Sequence, residues 1–231
     1  MTIHYHGTPL SPRTELMKLA GKCFCVPFSD ARDAETCLQI GQSVMFDNGA
    51  FSAFTKGKPM DVQGYIRFLE PRLSNPHWAI PPDVIDGTVD QQREMLVAWP
   101  FPGQLSAPVW HMGLPIDYLL ELADEWPRIC FGSTAQYWQV GSDTWCRRAD
   151  EAFNALAATH KHLPWIHMLR GMNLSGDRWP FASVDSVNVA RNFKDSNTDP
   201  ERMARRLDSI QCNTRWEQQK IQKDIFYEEP L

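Results

Sequence analysis

Eight short apolar runs recur along the chain, and segments of helical periodicity lie between most of them. In chain order the runs are His4–Gly7, Phe24–Phe28, Val44–Phe46, Trp78–Ile80, Pro108–His111, Ile129–Gly132, Trp165–Leu169 and Ala182–Val189. After the third run, Val62, Ile66 and Leu69 repeat at helical spacing. Strands that alternate with helices pair in parallel through right-handed crossovers. The pattern therefore predicts an α/β fold, and eight such units predict a single (β/α)8 TIM-type barrel.

The length of the chain fits one domain of this kind. Its 231 residues are slightly fewer than the roughly 250 usual for such a barrel. A doubly wound open sheet is the competing architecture, but Gly7-Thr8-Pro9 is not the glycine-rich phosphate loop that usually follows its first strand. We expect a catalytic barrel over residues 1–204. Residues 205–231 are charged and are expected to form a C-terminal helix and tail packed on the barrel.

The composition indicates the setting in which the protein works. The chain has no run of about 18 apolar residues and no secretory signal pattern, so we expect no membrane span and a cytoplasmic location. Six cysteines are too few for a disulfide scaffold at this length. The formal net charge of −5 argues against non-specific coating of nucleic acid, but it permits a local basic groove. A homodimer is compatible with the sequence.

In a parallel barrel the catalytic groups lie where strands end and the following loops begin. At these ends the chain supplies His6, Ser29, Asp30, Asp47, Asn48, Gly49, Asp83, Asp86, His111, Gly132, Ser133, Arg170, Asp185 and Arg191. Acidic side chains thus come from several strands and are accompanied by imidazoles and arginines. Such a set suits acid–base chemistry and nucleophilic catalysis by a carboxylate.

The individual carboxylates also have structural interpretations. The Asn-Gly pair after Asp47 stands between hydrophobic residues and is typical of a β-hairpin turn. Asp83 follows two prolines, and it could simply cap the next helix. Asp185 interrupts an otherwise apolar strand, where a carboxylate costs several kcal/mol unless it is paired or functional. Of the three, Asp185 is the strongest candidate for a functional role.

Histidines and cysteines give no pattern of metal ligands. We expect His6, His111 and His167 to be satisfied pocket or core groups. Cys23 and Cys25 share one strand face, but no nearby cysteine or histidine completes a tetrahedral set. We therefore predict neither a metal nor a cofactor.

Two segments carry a resemblance to a known family. They are Phe46-Asp47-Asn48-Gly49-Ala50-Phe51-Ser52 and Phe181-Ala182-Ser183-Val184-Asp185-Ser186-Val187-Asn188-Val189-Ala190-Arg191-Asn192. They resemble the Asp-Ser-Gly-Gly/Ala-Phe and Phe-Asp-x-x-Asp-(Cys/Ser)-Val-x-x-x-Arg-Asn motifs of the tRNA-guanine transglycosylase superfamily. The resemblance is greatest to its DNA-acting members, which exchange guanine for a deazaguanine. It implies that Asp185 is the covalent nucleophile and that Asp47 is the general acid/base.

The resemblance also implies a set of residues that bind the substrate. The segments Pro82-Asp83-Val84-Ile85 and Val109-Trp110-His111-Met112-Gly113 stand where the family contacts a guanine-type base, although His111 replaces its glutamine. Phe131-Gly132-Ser133 is similar to the end of the family's sixth strand. The expected substrate-binding residues are thus Asp83, His111, Gly132, Ser133, His6 and Asn48, with Arg191 as a candidate phosphate contact.

One departure from the family bears on the substrate. The family's Cys-x-Cys-x-x-Cys…His zinc module, which helps to seat tRNA, is missing, and Cys212 is the one cysteine of the tail. We therefore expect DNA as the partner, presented as a flipped or single-stranded nucleotide, together with a free nucleobase. The expected activity is cleavage of an N-glycosidic bond with base exchange. The alternatives are a DNA glycosylase that leaves an abasic site in a phage or anti-phage context, a non-catalytic nucleic-acid-binding barrel, and a hydrolase of small nucleosides.

Overall fold

The structure is a computed structural model that describes residues 1–195 and 198–219. Its strands are β1 (Ile3–Gly7), β2 (Cys23–Pro27), β3 (Ser43–Asp47), β4 (Trp78–Ala79), β5 (Val109–His111), β6 (Arg128–Gly132), β7 (Trp165–Met168) and β8 (Ser183–Ser186). The helices of the described part are α1 (Arg13–Met17), α2 (Ala34–Ile40), α3 (Ala50–Thr55), α4 (Val62–Leu69), α5 (Val89–Val97), α6 (Ile116–Glu125), α7 (Asp143–Thr159), α8 (Asn188–Asn192) and α9 (Pro200–Asp208). The predicted α/β fold with eight strands is confirmed.

The strands form one parallel sheet in the order β4-β3-β2-β1-β8-β7-β6-β5. The first and last strands are neighbours, and they pair from Ile3 opposite Ser183 to His6 opposite Ser186. In a doubly wound sheet the strand order reverses beside the first strand, and the last strand lies at an edge. The observed order is therefore that of a barrel, in which the sheet curls round to bring its two ends towards each other.

The predicted barrel is open between β4 and β5. In the part of the chain that the structure describes, one isolated bridge joins Ala79 to Ser106, and the Ala107 N–H donates to the Ala79 carbonyl. β4 has only two residues. Pro81 contributes to the end of the pairing here, because it lacks the N–H that the next bond of the ladder requires. The domain is thus a curled parallel sheet and not a closed barrel.

The side chains of each strand point alternately to the two faces of the sheet, so the core has an inner and an outer part. The inner face of the sheet carries a cluster that includes Tyr5, Cys25 and Trp78. Two larger apolar clusters lie between the outer face and the helices, one around Phe46 and one around Phe131. Because successive side chains point to opposite faces, each strand contributes to both parts. Polar groups at the strand ends are thereby held above a packed inner core.

Two predicted boundaries change near the C-terminus. The eighth run ends as a strand at Ser186, and α8 begins at Asn188. Helix α9 begins at Pro200, so it crosses the predicted boundary between residues 204 and 205. Its start is set by Asp199, whose side chain accepts hydrogen bonds from N–H groups of the first turn, and by proline at the first helical position.

The described part of the C-terminal tail packs against α7. The ring of Trp216 lies 5.2 Å from that of Phe153, and the Trp216 indole N–H donates to Asn154. Residues 220–231 of the predicted tail lie outside the described residues. Among the described helices, none is long and apolar enough to cross a membrane.

Candidate active site

A cavity opens at the carboxyl edge of the sheet. Its volume is about 160 Å³, which is below the roughly 300–1,000 Å³ of pockets that take drug-sized ligands. Seven of the nine predicted site residues line it, namely Asp47, Asn48, Asp83, His111, Gly132, Ser133 and Asp185. Residues from the ends of six strands or the loops after them therefore meet around a space suited to one small group.

Asp47 is the last residue of β3, and the chain turns from it into α3. The hairpin interpretation is wrong, because β3 pairs in parallel with both of its neighbours. Gly49 makes the turn with a φ of 78°, a left-handed conformation that glycine adopts freely. Its N–H donates to Asp47 Oδ1 at 2.7 Å. Burial raises the pKa of Asp47 to about 6, and the negative charges of Asp185 and Asp83 act in the same direction.

Asp185 lies on β8 with only 7 % of its surface exposed. Its Oδ1 accepts the backbone N–H of Arg170 at 2.7 Å and lies 3.3 Å from His167 Nε2. Arg170 follows β7 in a left-handed turn with a φ of 59°, and in this turn its N–H faces the carboxylate. Oδ2 makes no hydrogen bond with a described residue. The buried carboxylate is thus paired through one oxygen, and the other is free for a ligand.

Curvature of the sheet brings Asp47 and Asp185 to one place. Their strands, β3 and β8, are separated by β2 and β1. Three strand spacings amount to about 14 Å on a flat sheet. In the curled sheet both side chains line the same cavity, and the charge of Asp185 raises the pKa of Asp47. Two carboxylates in different environments therefore face one shared space, an arrangement that permits two different chemical roles.

Asp83 is held in the cavity wall by Asn48. The Asn48 amide donates to Asp83 Oδ1 at 2.6 Å and to the Pro81 carbonyl at 2.7 Å. His111 Nε2 lies 2.8 Å from Asp83 Oδ2, although the ring is not oriented for a hydrogen bond. Asp83 does not cap the next helix, because Thr88 caps α5. The second structural interpretation is therefore also wrong.

His111 is buried, with 4 % of its surface exposed, and neither ring nitrogen forms a hydrogen bond with a described residue. Gly132 lies directly beside the ring: a Cβ there would stand 3.2 Å from His111 Nδ1 and 2.8 Å from Val109 Cγ1. Next to it, Ser133 Oγ accepts the Trp145 indole N–H at 3.0 Å. Nδ1 is buried without a hydrogen bond to a described residue, which costs free energy, so this nitrogen is suited to a bound ligand that can hydrogen-bond with it.

Two predicted site residues lie outside the cavity. Tyr5 is in register with Asp185 on the inner face of the sheet, so the next residue, His6, points outwards to the helices. There His6 Nε2 lies 2.9 Å from Asp208 Oδ1 of α9. Arg191 is exposed on α8 and does not line the cavity. The expectation that these two residues share the site with the carboxylates is therefore not met.

Exposed aromatic and basic side chains lie at the cavity mouth, in an adjoining pocket and on α3, and they were not predicted as a group. The Arg170 guanidinium lies 5.1 Å from the ring centre of Phe51. Phe51 and Phe54 are 53 % and 51 % exposed. The side chains of Lys56 and Lys58 pair with no described residue and line an adjoining pocket. We call these five residues the mouth patch. In the sequence, the two phenylalanines spaced three residues apart on α3 could have indicated it.

Comparisons with family models, with curated proteins and with solved structures give no match. In residues 1–195 and 198–219, no three His, Cys, Asp or Glu side chains are arranged to hold a metal ion. The fold and the cavity define a class: an α/β protein whose curled parallel sheet holds a carboxylate-lined cavity at the carboxyl edge of its strands.

Proposed function

We propose that the protein cleaves the N-glycosidic bond of a base in DNA through a covalent intermediate on Asp185, with Asp47 as general acid/base and exchange of the base as the outcome. One observation carries the proposal: the two carboxylates line the same cavity in different environments. Asp185 accepts an N–H bond through Oδ1 and leaves Oδ2 unpaired, whereas the pKa of Asp47 is raised to about 6 by burial. A general acid must hold a proton, which the raised pKa of Asp47 favours, and a nucleophile needs a free oxygen, which Asp185 Oδ2 supplies.

The chemistry follows the retaining pattern of glycoside hydrolysis. Asp185 Oδ2 forms a bond to C1′ as the bond from C1′ to the base nitrogen breaks. The bonding electron pair leaves with the base, which takes a proton from Asp47. An incoming base then gives a proton back to Asp47, and its nitrogen bonds to C1′. The electron pair of the sugar–aspartate bond returns to Asp185.

The polar wall of the cavity suits the edge of a nucleobase. Asp83 can accept base N–H groups while Asn48 fixes its orientation. Nδ1 of His111, which makes no hydrogen bond with a described residue, and the hydroxyl of Ser133 supply further hydrogen-bonding groups. Gly132 keeps the wall beside the His111 ring open, because a side chain there would crowd it. The small volume fits a single base extruded from its stack.

The mouth patch favours a polynucleotide over a free nucleoside. Single-stranded nucleic acid is bound by aromatic side chains that stack on bases and by cations that follow the backbone. Phe51 and Phe54 present the aromatic faces, and Lys56, Lys58 and Arg170 present positive charge beside the catalytic cavity. The substrate we propose is therefore a nucleotide within a DNA strand, with its neighbours lying across this patch.

Replacing Lys56 and Lys58 together by glutamine should weaken binding of a single-stranded oligonucleotide. Each phosphate contact contributes about 0.7 to the slope of log K against log salt, so the slope should fall by up to about 1.4. Fluorescence anisotropy at several salt concentrations measures it. Lys161, exposed between α7 and β7 at the opposite edge of the sheet, is the matched control for replacement. An unchanged slope in the double variant contradicts the proposed role of the patch.

Excision of the base is the second candidate function, and His111 is the observation that favours it. Its ring lines the cavity with Nε2 2.8 Å from Asp83 Oδ2, and the imidazole could accept a proton from water that attacks C1′. The two outcomes are separable with DNA that carries unmodified or deazaguanine bases. Without free base, excision produces sites that alkali cleaves. When a labelled free base is added, exchange incorporates the label and leaves no such sites. If wild-type protein does neither, the proposed function is wrong.

A further inference from the structure

A chain of buried polar side chains lies behind Asp185 on the inner face of β7 and β8. The Trp165 indole N–H donates to Ser183 Oγ at 2.8 Å, and Ser183 Oγ lies 2.8 Å from His167 Nδ1. His167 Nε2 in turn lies 3.3 Å from Asp185 Oδ1. His167 and Ser183 are both fully buried. We call Trp165, Ser183 and His167 the relay; none of the proposed chemical steps uses it.

The relay has a defined direction. An indole N–H can only donate, so Ser183 Oγ accepts from Trp165, and its own hydrogen can be donated to His167 Nδ1 when that nitrogen carries no proton. Burial lowers the pKa of His167, which leaves the imidazole neutral with a single proton. That proton then lies on Nε2 and points at Asp185. The other tautomer would set a nitrogen lone pair against the carboxylate, which is electrostatically unfavourable.

The other charged or titratable groups around His167 and Asp185 do not replace the contact between these two side chains. They are Arg128, Tyr5, Cys25, Cys130, Asp47, Asp83 and Arg170. Burial raises the pKa of the Cys25 and Cys130 thiols, so both are neutral at pH 7. Besides His167, the one hydrogen-bond donor to Asp185 among the described residues is the Arg170 backbone N–H.

We infer that His167 and Ser183 are positioning residues that hold the Asp185 carboxyl group in one orientation. Both donors bind Oδ1, so Oδ2 is the oxygen directed to C1′. The inference rests on the proposed role of Asp185 as nucleophile. It assigns the orientation of Asp185 to His167 and Ser183, a role that neither the motif around Asp47 nor the one around Asp185 implies. In many active sites, the group that binds or reacts is held in place by hydrogen bonds from residues that do not themselves touch the substrate.

The first test measures the tautomer directly and needs no substrate. Long-range proton–nitrogen correlation spectra of protein labelled with ¹⁵N-histidine distinguish the two neutral forms, and the His167→Gln variant assigns the signals among the seven histidines. At pH 7 we expect neutral His167 with the proton on Nε2. A proton on Nδ1, or a doubly protonated ring, overturns the inference whether or not the protein is an enzyme.

The second test separates positioning from packing. Ser183→Ala removes the donor to Nδ1, and we expect a second tautomer to appear together with a roughly 10- to 100-fold lower kcat and little change in KM. Gln at position 167 can still direct an amide N–H at Asp185, whereas Leu cannot. His167→Gln should therefore retain more activity than His167→Leu at equal thermal stability. Equal losses in kcat for these two variants would refute the positioning role.

If wild-type protein releases no base but the tautomer is as expected, the proposed function fails while the direction of the relay stands. If wild-type protein is active and Ser183→Ala keeps full kcat, the inference fails while the proposed function stands. The two results are therefore distinguishable.

Discussion

Replacing Asp185 by asparagine is expected to lower the rate of base release from DNA by at least about 10³-fold. This loss corresponds to roughly 4 kcal/mol of transition-state free energy. Asparagine keeps an oxygen that can accept the Arg170 N–H, so the local structure should persist. It has no charge to stabilise the developing positive charge at C1′ and no competent nucleophile. Single-turnover kinetics on labelled DNA would measure the rate.

The control for this variant is Asp117→Asn. Asp117 is exposed on α6 and lies outside the cavity, so its replacement should leave the rate unchanged. Near-normal activity of Asp185→Asn with an unchanged melting temperature would show that the buried carboxylate is structural. A non-catalytic nucleic-acid-binding barrel would then be the better interpretation.

Replacing Asp47 by asparagine is expected to lower the rate by about 10²- to 10⁴-fold, the usual contribution of a general acid. The pH profile gives the sharper test. Because Asp47 donates a proton and burial raises its pKa to about 6, wild-type base release should fall about tenfold for each pH unit well above 6. The variant should lack this decline. A wild-type rate that stays constant from pH 6 to 9 contradicts the assigned role.

The same substitution should stabilise the fold at alkaline pH. The folded state holds the Asp47 proton more tightly than the unfolded chain does, so stability is lost as the pH rises from the unfolded pKa through about 6. Asparagine removes this cost, and a rise of the pKa from 3.8 to about 6 corresponds to a gain of about 3 kcal/mol. Melting curves at pH 8 should show a higher Tm for Asp47→Asn, and the difference should vanish near pH 3. A lower Tm at pH 8 would show that the charge itself supports the fold.

Much of the fold could be predicted because alternation of apolar runs and helical segments is a local property of the chain. The opening between β4 and β5 depends on individual N–H groups. Pro81 was visible in the sequence, but its effect appears only when the two strands are placed side by side. The start of α9 was also visible, as Asp199 followed by proline.

Site residues could be predicted where they stand at the end of a strand. The prediction was wrong where it depended on which face of the sheet a side chain lies on. Alternation shows that His4 and His6 share a face of β1 but not which face is inside. The contact of His6 with α9 shows that it is the outer one. The relay behind Asp185 joins residues of two strands, and its direction depends on donor geometry that no local pattern encodes.

In the proposed reaction a sugar becomes covalently attached to the buried Asp185. The direct measurement is intact-protein mass spectrometry after rapid acid quenching of enzyme with a short DNA substrate, followed by peptide mapping. We expect an added mass equal to the oligonucleotide without its target base, located on Asp185 and absent from the Asp185→Asn variant. Base release with no adduct, or an adduct on another residue, would contradict it.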